Sequence, residues 1–281
     1  MLDVFWTSTV TTQMRSLGAA AAQRLLGDTI GLSDYEWQSP SLLPGWSRAH
    51  IATHLADNAI ALGQAASAVA AGENDVVWPL PQAGEPIETG SRREGLDLQV
   101  ALDTSIARLS RSFDSISPER WDTPVRTTLG PLPARVLVLV RLNELVLHHV
   151  DLGLGFGFGQ ISPQITEWLL PWNAARAGDH FGDRVIHLVS DEGFEATIGR
   201  GAAPAGDPQR LSPGQTSPGQ TSAPPSPAGE KTAPKAAASV DEDSVPLEIR
   251  GSNRGLLGWL TGRLDSSAVL GAEGLQLPRP L

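Results

Sequence analysis

Glu144 and His148 stand four residues apart in the run Arg141-Leu-Asn-Glu-Leu-Val-Leu-His-His-Val-Asp-Leu-Gly153. On a helix that spacing puts a carboxylate and an imidazole on one face, one turn from each other. Val136, Val140, Leu147 and Val150 around them are apolar, and either polar group is costly to bury there without a partner. A divalent metal would satisfy both. A third ligand has to come from elsewhere. The stretch Leu43-Pro-Gly-Trp-Ser-Arg-Ala-His50-Ile-Ala-Thr-His54-Leu55 offers two histidines, again four apart. Pro44-Gly45 ends a loop and Ser47 suits a helix N-cap, so His50 and His54 share one face of a long helix. At least one should point inward, with His50 the better candidate for an outward or supporting position. His149 follows His148 directly and must point about 100° away on the helix. Asp151 either orients a ligand histidine or simply closes the helix.

The 281 residues contain no cysteine, which removes disulfides, thiolate ligands and a cysteine nucleophile together. Any thiol chemistry here needs a thiol brought in as a cosubstrate. With imidazole and oxygen as the available ligands, zinc is the first expectation and iron or nickel the next. The formal net charge of −10 argues against nucleic acid or an anionic membrane as a partner. No apolar run approaches the length of a membrane span, and the N-terminus lacks the pattern of a signal peptide. The expectation is a soluble, cytoplasmic monomer whose partners are small molecules.

The elements that must position these residues follow from periodicity. Residues 7–26 keep a helical stride through Val10, Met14, Leu17, Ala21 and Leu25. The segment 31–45 is a connection in which Leu42, Leu43 and Trp46 tuck against the core. A second helix spans 47–71, and the Pro- and Gly-bearing stretch 72–89 reads as a loop anchored by Trp78. A third helix covers 91–116, fitted by the apolar positions Leu96, Val100, Ile106, Leu109 and Phe113. The fourth spans 134–151. Both ligand pairs then lie on helices of one bundle, a usual way to build a metal site. The glycine run 153–159 stops the fourth helix; no strand precedes it, so a phosphate cradle is not expected.

After a helix at 162–178 the pattern changes. Residues 184–190 and 194–198 are strand-like runs joined by Asp191-Glu-Gly193, a hairpin signal. Residues of about 201–243 are rich in Pro, Ser, Ala and Gly, repeat Ser-Pro-Gly-Gln-Thr, and are predicted disordered. A further strand at 245–251 and a short helix at 254–262 follow, with Arg263 at its end. The predicted organisation is a four-helix metal-binding domain, 1–159, with an extended segment closing at Gly130-Pro-Leu-Pro133 before the fourth helix, and a small α/β domain, 160–281. The insertion would interrupt a hairpin of the second domain.

The stretches 43–58 and 141–153 resemble the two signature segments of the mycothiol-dependent maleylpyruvate isomerases. The likeness extends to 251–263 and the closing Leu-Pro-Arg-Pro-Leu281. The resemblance implies a DinB-like four-helix bundle followed by a domain similar to sterol carrier protein 2. It implies zinc ligands at His54, Glu144 and His148, and a functional arginine at Arg263. It also implies a reaction: mycothiol-dependent conversion of maleylpyruvate to fumarylpyruvate in gentisate breakdown, an aromatic catabolic route. Thiol addition to the alkene, rotation and elimination would accomplish it, with Arg263 pairing a substrate carboxylate or stabilising the enolate. Mycothiol transfer to another electrophile, or a non-catalytic metal-binding regulator, would keep the ligands and change the outcome.

Overall fold

The computed structural model describes residues 6–78, 86–199, 246–275 and 277. The insertion at about 201–243 and the closing residues 278–281 lie outside the described residues.

Helix α1 (Ser8–Thr29) is capped by Thr7, whose hydroxyl accepts from the Val10 N–H. A one-turn helix, α2 (Asp34–Gln38), seats the buried Trp37. Helix α3 (Arg48–Ala71) begins at Ser47 and ends at Gly72, whose φ of 91° stops it in the left-handed conformation that glycine adopts without strain. The two-residue strand β1 (Val76–Val77) and the short helix α4 (Ile87–Gly90) lie where a plain loop was expected. Val76 is the buried residue there, and Trp78 is only partly covered.

Helix α5 (Gly95–Asp114) buries Leu98, Leu102, Ser105, Leu109 and Phe113. Leu96 and Val100, two of the apolar positions that mark this helix in the sequence, are exposed. Strands β2 (Pro124–Thr127) and β3 (Gly130–Pro133) form a hairpin, with β1 parallel to β2 on its other side. Helix α6 (Val136–Asp151) follows and is buried along nearly its whole length. It packs against α1 and α3, and α3 packs against α5, which closes the four-helix bundle.

Ser162 caps α7 (Pro163–Ala177). Strands β4 (Ile186–Ser190) and β5 (Glu195–Ile198) pair antiparallel across Gly193, and β6 (Leu247–Gly251) lies parallel to β4 on its other edge. The insertion therefore does not sit in a hairpin. The strands that flank it, β5 and β6, lie on opposite edges of β4 and do not pair with each other. Helix α8 (Asn253–Leu260), capped by Ser252, packs on α7. One continuous apolar cluster runs from Met14 and Leu139 in the bundle to Ile186, Ile249 and Trp259 beyond it. Among the described residues no helix is long and apolar enough to cross a membrane.

Candidate metal centre

His54 comes from the second turn of α3, and Glu144 and His148 from the last two turns of α6. The local sequence fixes α3 in two ways. The Ser47 Oγ accepts from the His50 N–H at 3.4 Å, and the His50 Nδ1 accepts from the Ser47 N–H at 3.2 Å. His50 is thus spent on its own helix start, 3.3 Å from Ser91 Oγ and 3.5 Å from Glu88, and takes no part in the cluster. The buried guanidinium of Arg141 ties the two helices, its Nη1 donating to Leu55 O at 2.9 Å and Asn58 Oδ1 at 3.0 Å. Burial lowers the Arg141 pKa to about 10, against the opposing attraction of Glu144.

The result is convergence on one oxygen. His54 Nε2 stands 3.0 Å and His148 Nε2 3.3 Å from Glu144 Oε2, with the two imidazole centroids 4.6 Å apart. One ligand atom from each residue falls within 4.8 Å of the others, the single such set among the described residues. Two imidazoles and a carboxylate leave a fourth tetrahedral position open, the mark of a catalytic rather than structural zinc site. The donor set fits a divalent ion. The Trp46 ring lies 5.7 Å from His54 between centroids and walls that side; the sequence suggested only that Trp46 packs on the core.

Behind the ligands lies a second layer. His148 Nδ1 is 2.8 Å from Asp151 Oδ2, at hydrogen-bond length but out of line for a good bond. Asp151 also receives Arg263, from Nε to Oδ1 at 2.8 Å and from Nη2 to Oδ2 at 2.6 Å. The third nitrogen, Nη1, donates to Thr261 O at 3.2 Å. His149 turns away as its spacing requires, meeting Asp28 at 2.9 Å and stacking on Phe156 with centroids 4.2 Å apart. A cavity of about 620 Å³ borders this second layer, lined by Leu43, Asp151, Trp259, Arg263 and Leu264 among others.

Burial pushes the Glu144 carboxyl up, but hydrogen bonds and charge from His148 and His54 outweigh it and hold the pKa well below the ordinary 4.5. Burial disfavours a charged His148, yet Asp151 and Glu144 facing its two nitrogens raise its pKa above 6.5. Burial likewise opposes ionisation of Asp151, and His148 and Arg263 override it to lower the pKa from 3.8. His149 is lowered from 6.5, chiefly by burial.

The signs give a pH prediction for the metal-free protein. Depressed carboxylates contribute stability above their unfolded values and lose it as pH falls through the folded ones. The raised His148 contributes below 6.5 and loses its contribution as pH rises through its folded value. Charging the buried His149 adds to the acid loss. Thermal unfolding in chelator, from about pH 4 to about pH 9, is expected to show a maximum in the mildly acidic to neutral range. A midpoint that climbs steadily to the alkaline end would contradict the His148 assignment.

The sequence family described as mycothiol maleylpyruvate isomerase N-terminal domain matches residues 19–153, the span that carries all three candidate ligands. That segment, which makes up the helical bundle, is similar to this family's N-terminal domain. Among solved structures it is similar to a mycothiol-dependent maleylpyruvate isomerase and to a histidine-to-alanine mutant of that protein. Each has a TM-score of 0.67 and 22% identity, over 96% of this chain and 96% of that one. At that identity the likeness establishes the fold, and it reaches past the matched domain into the C-terminal segment. No curated protein matches the sequence significantly.

Proposed function

We propose that this protein is a mycothiol-dependent maleylpyruvate isomerase, with His54, Glu144 and His148 holding a divalent ion, zinc by preference. The observation that carries the reading is the convergence of those three side chains within 4.8 Å inside the family-matched span. A double bond does not rotate unaided. In the reaction the thiolate sulfur bonds to one alkene carbon while the π pair moves into the adjoining keto group as an enolate. The new single bond rotates. The enolate pair then returns and expels the thiolate, so atoms and electrons balance and mycothiol is regenerated. A bound divalent ion supplies Lewis acidity for this chemistry.

The chain's own contributions are positional. Helix α6 fixes Glu144 and His148 one turn apart, Arg141 anchors α6 to α3, and Trp46 limits access beside His54. The C-terminal segment brings Arg263 to the end of α6. We place the domain boundary at 159/160, where α7 begins to pack on α8 and the second sheet. The sterol-carrier-protein-2-like reading of that second domain rests on its mixed three-stranded sheet flanked by helices.

The family match covers the metal-bearing half alone, so mycothiol transfer to another electrophile stays as the second reading. Proton NMR of maleylpyruvate with mycothiol and the zinc-loaded protein separates the two. The isomerase gives the trans alkene with mycothiol conserved. An accumulating S-conjugate with mycothiol consumed assigns the transferase, and no change in either compound leaves a binding role.

A further inference from the structure

The guanidinium of Arg263 presents no free fork. Its Nε and Nη2 are both taken by Asp151 and its Nη1 by a backbone carbonyl. Both side chains are buried, 2% exposed for Asp151 and 8% for Arg263. Paired donation by Nε and Nη2 is the geometry with which arginine grips a carboxylate, and here the carboxylate belongs to the protein. The same Asp151 stands 2.8 Å from the Nδ1 of His148, whose Nε2 faces Glu144. The contacts therefore run from the C-terminal segment, through one carboxylate, to a residue that would hold the metal.

We propose that Asp151 and Arg263 form a clasp in which Arg263 is a positioning residue. It fixes Asp151, Asp151 fixes the ring and proton of His148, and the seating of the C-terminal domain thereby sets the strength of the metal site. This deepens the metal reading above and rests on it. A carboxylate aligned behind a ligand histidine holds the tautomer in which the opposite nitrogen is free to bind, and losing such a partner weakens metal binding by roughly 10-fold to 100-fold. The 2.8 Å approach of the carboxylate to Nδ1 puts it within reach of that nitrogen's proton, and the two bonds from Arg263 set where the carboxylate stands. The clasp joins residues 112 apart in sequence, one at the end of α6 and one just after α8.

The alternative, in which Arg263 binds a substrate carboxylate, requires it to leave Asp151 behind as a buried charge without its arginine partner. Removing one partner of a buried pair is unfavourable for that reason. The two roles separate by measurement. Zinc affinity of the full-length protein is read by chelator competition, without substrate or thiol, for wild type, Asp151→Asn, Arg263→Lys, Arg263→Ala and the double variant. The clasp predicts a 10-fold to 100-fold weaker site in Asp151→Asn and Arg263→Ala, a smaller loss in Arg263→Lys, and a double variant no worse than the poorer single one. It also predicts that kcat falls more than KM rises.

Wild-type affinity in Arg263→Ala, with KM alone raised, would assign Arg263 to the substrate and overturn the clasp. Additive losses in the double variant would overturn the coupling. A wild type that binds no zinc would instead defeat the metal reading. Circular dichroism and the thermal midpoint identify any variant that fails to fold, and Arg263→Lys keeps the buried charge if Arg263→Ala does so.

Discussion

Glu144→Ala is expected to abolish stoichiometric zinc binding and mycothiol-dependent turnover together while the bundle stays folded. Glu144 is the acceptor on which both Nε2 atoms converge, so its removal takes away one ligand and also what aligns the other two. Site free energies of about 10–16 kcal/mol for structural zinc put one ligand of three at roughly 3–5 kcal/mol, about 10²-fold to 10³-fold or more in affinity. His54→Ala is expected to act in the same direction and somewhat less, because Glu144 and His148 remain set by one helix. The check is metal content after dialysis against a weak chelator, alongside turnover and circular dichroism. A Glu144→Ala protein that keeps one zinc per chain would show that the ion sits elsewhere.

The second large effect concerns stability. Leu142 lies two residues before Glu144 on α6 and is fully buried in the shared core. Leu142→Ala is expected to cost about 2–5 kcal/mol, from lost burial and an incompletely filled cavity, out of the about 5–15 kcal/mol typical of a folded protein. Metal provides the control. Zinc at 100 times its Kd stabilises the native state by about 2.7 kcal/mol, so zinc should restore much of the lost midpoint in urea while chelator should not. A variant that unfolds with the wild type would mean that α6 is not the buried centre of the bundle.

Helical periodicity made part of the candidate cluster readable, because Glu144 and His148 meet through i, i+4 spacing within one helix. Ser47 at the start of α3 and Asp151 at the end of α6 marked boundaries that the structure keeps. The choice of His54 over His50 was not local. It follows from the side chain of His50 returning to cap Ser47, which spacing does not reveal. On α5 two overlapping stripes fit a helix equally well, and packing against α3 buries Leu98 and Leu102 while Leu96 and Val100 face outward. The partner of a strand is likewise invisible in its own residues: β6 has strand character in the sequence, but its place parallel to β4 is a property of the sheet. Arg263 and Asp151 carry no mutual signal at a separation of 112 residues. Arg141 did carry one, as a charged residue within an apolar helix three positions before Glu144, although its grip on the α3 carbonyl needed the structure.

The central claim is that the His54, Glu144 and His148 cluster supports thiol-dependent isomerisation. The most direct test is turnover of maleylpyruvate by one preparation in three states: chelated, zinc-restored, and zinc-restored without mycothiol. The account predicts activity in the zinc-restored sample with mycothiol alone. Equal turnover in the chelated sample, or turnover indifferent to the thiol, would contradict it.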